Sequence, residues 1–301
     1  MEAETLSPQE VLRRARRVEL RAARLVTDAM VGAYLSRFKG RGTDFEELRE
    51  YIPGDDVRSI DWNVTARTGR PFVRLHREER ELGLILAVDI SGSSSFGSSD
   101  FSIRERAAEV AAILGLSALR AGDKVGLLLF SDHAEHWIPP RKGRRQVLRV
   151  VRDILERPAR SRRTAFAAPL RRLARAARRR SSVFVLSDFH PGPEGAEAMV
   201  AALGQLNARH DVACIHLVDE RTRELPDAGR ITLEDTETGE LVEVNTHDAS
   251  VRAQYATQAT ERLTAIETAL RRAQIDTLRL VSTVRPAPAL ARFLENRKRR
   301  R

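Results

Sequence analysis

Leu84-Ile85-Leu86-Ala87-Val88-Asp89-Ile90-Ser91-Gly92-Ser93 is the stretch that decides the fold. A nearly continuous apolar run ending on a carboxylate and two serines reads as a strand buried on both faces, with polar groups delivered at its carboxyl end. Three more runs of this kind follow, at 125–130, 183–187 and 212–218. Amphipathic helical stretches separate them, at 103–119, 144–155, 165–178 and 194–206. Regular alternation of this sort specifies the α/β class: an open, doubly wound, mostly parallel sheet with helices on either side. A short run at 136–138, behind the polar Ser131-Asp132-His133-Ala134-Glu135, predicts one antiparallel strand at the sheet edge.

Working outward, residues 7–36 read as one long helix. Ser7 is placed as N-cap, Pro8 at the first helical position and Glu10 in a capping box. Val11, Ala15, Val18, Ala22, Leu25 and Ala29 recur at helical spacing, and the arginines at 13, 14, 16, 17, 21 and 24 form a solvated face. Residues 40–80 break into Gly40-Arg41-Gly42, a Pro53-Gly54-Asp55-Asp56 turn and an alternating strand at 71–75. In this module Asp55, Asp56, Arg58 and Asp61 are expected to make a charge-paired corner, with Tyr51 and Trp62 as core. The expected division is 1–80, an N-terminal helix with a small irregular and β module, and 81–301, the α/β domain with a β-hairpin insertion near 229–246. The hairpin pairs Arg230–Glu234 with Leu241–Asn245 around Asp235-Thr236-Glu237-Thr238-Gly239. A helix at 250–273, a strand Asp276–Val281 and a helix from Ala287 complete the sheet, leaving 297–301 as a basic tail.

Composition narrows the function classes. The 301 residues hold 52 basic and 42 acidic side chains, a formal charge of +10, and 42% hydrophobic residues, which describes a globular chain long enough to bury a sizeable core. Cys214 is the one cysteine, so no internal disulfide and no Cys-x-x-Cys motif exist. No apolar leader follows Met1 and no run of ~18 apolar residues occurs, so a cytoplasmic protein without a membrane span is expected. Lysine appears only at 39, 124, 142 and 298; so strong a preference for arginine reflects codon usage better than nucleic-acid binding, and no nucleic acid is expected. The basic surface still raises encounter rates with acidic partners. Neither a phosphate-binding Gly-x-x-x-x-Gly-Lys loop nor a dinucleotide Gly-x-Gly-x-x-Gly is present, and Phe96 breaks a Gly-x-Ser-x-Gly reading around Ser94. An enzyme is therefore not expected; a metal-dependent hydrolase and a basic nucleic-acid binder are the rival readings.

The residues that carry chemistry are Asp89, Ser91 and Ser93 after the first strand, Thr164 ahead of a helix, and Asp188 at the end of the 183–187 strand. Ligands of open α/β sheets bind beyond the carboxyl ends of the strands, which is where these side chains fall. Two carboxylates and three hydroxyls form an oxygen-only set suited to Mg²⁺, or to Mn²⁺ or Ca²⁺, rather than to zinc or copper. Two negative charges do not over-neutralise a divalent ion, which can still draw in an outside carboxylate. The competing account of Asp89, Ser91 and Ser93 is a capping turn, and of Thr164 an N-cap for a helix from Ala165.

Asp89-x-Ser91-x-Ser93 with Thr164 and Asp188 resembles the metal-ion-dependent adhesion site of von Willebrand factor A-like domains. That resemblance implies the Rossmann-like sheet already inferred, Ser and Thr hydroxyls on the ion, and a partner's acidic side chain completing its shell. The run from Gly40-Arg41-Gly42-Thr43-Asp44-Phe45 through Tyr51-Ile52-Pro53-Gly54-Asp55-Asp56 to Ile60-Asp61-Trp62, continued by Arg67 and Glu78-Glu79, is similar to the signature of the bacterial domain of unknown function 58 family. Membership implies a protein-interaction role, as adaptor or chaperone-like partner of a MoxR-type AAA+ ATPase acting on an acidic client in complex maturation. Ser94, Arg162-Arg163 and Phe189 depart from the A-like pattern, which favours Met, Gly-Gly and Gly there; the ligating atoms are unchanged.

Overall fold

The computed structural model describes residues 8–38, 47–75, 83–95, 97 and 101–299; the expectations placed on Ser7, Gly40-Arg41-Gly42, Glu78-Glu79, Phe96 and residues 300–301 lie outside them. The strands are β1 (Glu47–Glu50), β2 (Phe72–Leu75), β3 (Gly83–Asp89), β4 (Lys124–Phe130), β5 (Ala134–Arg141), β6 (Ser182–Ser187), β7 (Asp211–Val218), β8 (Arg230–Glu234), β9 (Leu241–Asn245) and β10 (Asp276–Val281). The helices are α1 (Pro8–Leu25), α2 (Asp28–Phe38), α3 (Trp62–Thr68), α4 (Ile103–Arg120), α5 (Arg144–Glu156), α6 (Ala167–Ala176), α7 (Gly195–Arg209), α8 (Ala249–Arg272) and α9 (Pro286–Arg299).

Six strands make the central sheet, in the order β10-β7-β6-β3-β4-β5. All neighbours are parallel except β5, which runs antiparallel to β4 at the edge, as the short run behind Ser131 predicted. The pleat of β3 explains why helices lie on both sides, because successive side chains point to opposite faces. Leu84, Leu86 and Val88 enter one core with Tyr34 of α2, Leu114 of α4, Val151 of α5 and Leu290 of α9, while Ile85 and Ala87 enter the other with Leu170, Leu203 and Leu270 of α6, α7 and α8. Each fully buried Leu or Ile here contributes roughly 2 kcal/mol of hydrophobic stabilisation. Cys214 of β7 lies in the second core, where burial pushes its thiol well above the ordinary range. Among the described residues no helix is long and apolar enough to cross a membrane.

The N-terminal segment corrects two expectations. It is two helices rather than one: Thr27 closes α1 and starts α2 by accepting the Met30 N–H on its hydroxyl at 3.4 Å, since a β-branched hydroxyl residue serves a cap better than a helix interior. Burial runs on at helical spacing across the break, through Ala22, Val26, Met30, Ala33 and Tyr34, and Ala29 falls on the exposed side. The division of the chain also falls elsewhere than at residue 80. The two helices belong with the α/β unit and only Lys39–Glu81 stands as a second unit, because the apolar face of Ala15, Ala22 and Val26 is buried in the first core.

In the second unit β1 and β2 pair antiparallel. In the expected corner Asp55 is charge-paired, with Arg49 at 2.6 Å, while Asp56 accepts the Arg58 backbone N–H at 3.0 Å and Asp61 caps α3 by accepting the Asn63 and Val64 N–H groups at 3.0 and 3.2 Å. Trp62 is not core but 67% exposed, because it is the first residue beyond the Asp61 cap and a unit this small has little interior to receive an indole. The far end of the chain differs too. Arg297 is buried on α9, donating to Asp276 at 2.7 Å, to Asp211 at 3.1 Å and to the Val212 carbonyl at 3.0 Å, so the basic tail is an anchor at this position.

Candidate functional site

Asp89 ends β3 and Ser187 ends β6, its neighbour in the sheet. From β3 the chain passes through α4, in the first core, to β4; from β6 it passes through α7, in the second core, to β7. Connections that leave to opposite faces open a crevice at the strand ends, and Asp89 and Asp188 stand on its two sides.

Asp89 is almost fully buried. Its Oδ1 accepts the Ser91 N–H at 2.9 Å and its Oδ2 accepts the Ser187 hydroxyl at 2.7 Å. Burial, and then the charge of Asp188, push the Asp89 carboxyl up to about 7 against the pull of those hydrogen bonds. Ser187 Oγ also lies 3.4 Å from Asp188 Oδ1 and accepts the Phe189 N–H at 2.8 Å, so one hydroxyl ties both carboxylates to the sheet end. Asp188 itself is half-buried and accepts the His190 N–H at 3.2 Å.

The hydroxyls are not consumed by helix capping. Ser91 Oγ is 3.3 Å from Ser93 Oγ, in a tight turn closed by Ser94 Oγ donating to the Ser91 carbonyl at 2.7 Å. The following helix, α4, starts only at Ile103 and has its own capping box of Ser102 and Glu105. Thr164 is not the cap of α6 either. That helix begins at Ala167, and the Phe166 and Ala167 amides donate to Glu194 Oε2 at 3.1 Å each. Thr164, fully buried, donates its hydroxyl to Glu237 Oε1 at 2.6 Å.

Backbone contacts bring the three loops together. The Gly92 N–H donates to the Arg162 carbonyl at 2.8 Å, which joins the Asp89 loop to the Thr164 loop. Gly192, at φ +59°, abuts the Thr164 carbonyl so closely that a Cβ there would collide with it. A Cβ on Gly92 would likewise collide with the Thr236 carbonyl of the β8–β9 turn. All five expected residues thus lie in one loop cluster, with Ser187, His190, Glu194 and Glu237 added to them. Ser187 was readable as the polar end of an apolar run next to Asp188; Glu237 lies 73 positions from the hydroxyl it accepts from, and no local pattern links the two.

Phe189 shows how the cluster is held. It has φ +54°, a left-handed conformation rare for an aromatic residue. Its ring is fully buried, stacked on Phe166 at 5.8 Å and edge-on to His216 at 5.6 Å. A departure from glycine is tolerated because the ring fills the second core. Among the described residues no three His, Cys, Asp or Glu side chains are grouped as metal ligands; the five-residue set contains two carboxylates, so a cation there would need the hydroxyls.

Fold and site define an α/β chain with oxygen donors gathered at the switch point of a mostly parallel six-stranded sheet. The family described as protein of unknown function DUF58 matches residues 47–265, and the chain belongs to it. Uncharacterized proteins of Mycobacterium bovis and Mycobacterium tuberculosis are 35% identical over 247 residues, covering 81% of this chain and 76% of theirs. Among solved structures, conserved hypothetical protein BatB from Bacteroides thetaiotaomicron is similar at a TM-score of 0.42 and 16% identity, covering 72% of this chain and 99% of that one. An aerotolerance-related membrane protein from Bacteroides fragilis is similar at 0.43 and 18%, covering 73% and 100%.

Proposed function

We propose that the protein is a non-enzymatic recognition module of the von Willebrand factor A-like kind, and that Asp89, Ser91, Ser93, Thr164 and Asp188 hold a divalent cation, Mg²⁺ by preference. The observation that carries this reading is the pair of carboxylates tied by Ser187 at the crevice, one of them buried and destabilised by the other. A cation is the group such a pair lacks, and the hydroxyls beside it are hard donors with no cap to serve. When bound, the ion supplies positive charge and exchangeable positions for an oxygen anion. Asp89 and Asp188 balance its charge, the loop hydroxyls orient it, and the crevice rim admits a carboxylate from another protein. An acidic client or a MoxR-type AAA+ ATPase in the cytoplasm is the partner this reading names.

An enzymatic role has less support from the side chains. A hydroxyl that lies near a histidine, Ser131 Oγ, donates to Glu135 at 2.8 Å and stands 3.5 Å from His133 Nδ1, which itself faces Asp132 at 2.6 Å; this is a saturated network rather than an activated nucleophile.

Isothermal titration with Mg²⁺ and Mn²⁺ tests the site. The wild type is expected to bind, and Ser91→Ala and Asp188→Ala to weaken binding by about tenfold or more, with thermal unfolding confirming that each variant is folded. Equal titration curves for all three proteins would end the cation reading.

A further inference from the structure

We propose that Glu237, on the turn between β8 and β9, is the site's internal carboxylate: it occupies the place an acidic partner would take, so hairpin and partner compete for it. This rests on the cation reading above and goes on to name what fills the open position when no partner is present.

Four observations converge on Glu237. Its side chain is only 10% exposed and receives the Thr164 hydroxyl at 2.6 Å, with His190 Nδ1 at 3.4 Å on the same oxygen. The turn is built to present it: Asp235 Oδ1 accepts the Glu237 and Thr238 N–H groups at 2.8 and 3.1 Å, and Gly239 takes φ +76°. The site makes room for it, since only a glycine at position 92 lets the Thr236 carbonyl close on the Asp89 loop. A second tie, Arg162 to Glu234 at 3.1 Å, fixes the hairpin beside the same loop.

The remainder of the hairpin says why the contact is exchangeable. Leu241 and Val242 are 66% and 51% exposed, and no residue of β8 or β9 is buried. Ile231, Leu233 and Val244 are only half-buried and a two-stranded hairpin is marginal by itself, so the polar contacts at the tip are a weak tie that another carboxylate can replace. Asp89 and Asp188 already balance a divalent charge, so a third carboxylate gains less from the ion than the first two and yields to another carboxylate of the same chemistry.

The test uses the full chain with Mn²⁺ as the probe ion and acetate as the probe carboxylate, reading water-proton relaxation. In the wild type, bound Mn²⁺ is expected to show few fast-exchanging waters and little response to acetate. Glu237→Gln and Glu237→Ala are each expected to raise the relaxivity by about one exchanging water, and acetate to reverse the rise. Equal relaxivity and equal acetate response in wild type and both variants, with Asp188→Ala still weakening Mn²⁺ binding, would overturn the role of Glu237 and leave the cation site standing. No Mn²⁺ binding by the wild type would overturn both.

Discussion

Asp89 carries a cost that solution chemistry can read. An unfolded aspartate titrates near 3.9, whereas in the fold burial and the neighbouring Asp188 raise Asp89 to about 7. The ionised form is the one the fold disfavours. Its penalty is therefore absent below the unfolded value, grows as pH rises, and is complete above about 7, where it reaches at most about 4 kcal/mol. Chelator-treated protein is expected to unfold at a lower temperature at pH 8 than at pH 5. Asp89→Asn should flatten that slope, and a slope equal to the wild type's in denaturation scans would show that another group sets it. Phe189 offers a second comparison. Phe189→Gly removes left-handed strain of about 1 kcal/mol but empties the space its ring fills against Phe166 and His216, and losing a buried Phe costs about 3–5 kcal/mol. The cavity outweighs the strain, so denaturant midpoints should fall, with a net loss of about 2–4 kcal/mol.

At the level of elements, what could be read in the chain followed the range of the interaction. The runs that became β3, β4, β6 and β7 announce themselves because burial on both faces needs apolar residues in succession. The β8 and β9 boundaries were equally plain, from alternation around a polar turn. Thr27 was obscured because a helix broken for two residues keeps nearly the same periodicity on either side. Arg297 was read as tail because its partners, Asp211 and Asp276, come from two other strands. Thr164 was placed correctly beside a helix start yet given a capping task that Glu194 performs from a later segment. Arg297→Met is expected to destabilise the protein by about 3 kcal/mol, because removing one partner of a buried charged network leaves its carboxylates without their cation. Equilibrium urea unfolding measures it, and a loss below about 1 kcal/mol would mark α9 as a loosely held end.

For the molecule as a whole, the doubly wound sheet gives the site its place and its rigidity. Helices on both faces lock β3 and β6 from either side, so the strand ends that carry Asp89 and Ser187 are fixed, while the loops and hairpin around them carry the polar groups. That split, rigid strand ends beneath loops that carry the polar groups, suits the recognition role proposed above. Arg171, Arg172, Arg175, Arg178 and Arg179 are exposed along and just beyond α6, the solvated face their spacing predicted. Their charge speeds the arrival of acidic proteins, so rates of association with an acidic partner should fall as salt rises.

Cys214 turns the sheet into its own reporter. With its sulfur in the second core, on the helix-covered face of β7, and its thiolate suppressed by burial, Cys214 offers a disulfide dye no nucleophile until that face is uncovered. The rate of colour development under native conditions therefore counts openings of that core, with no tag and no engineered label.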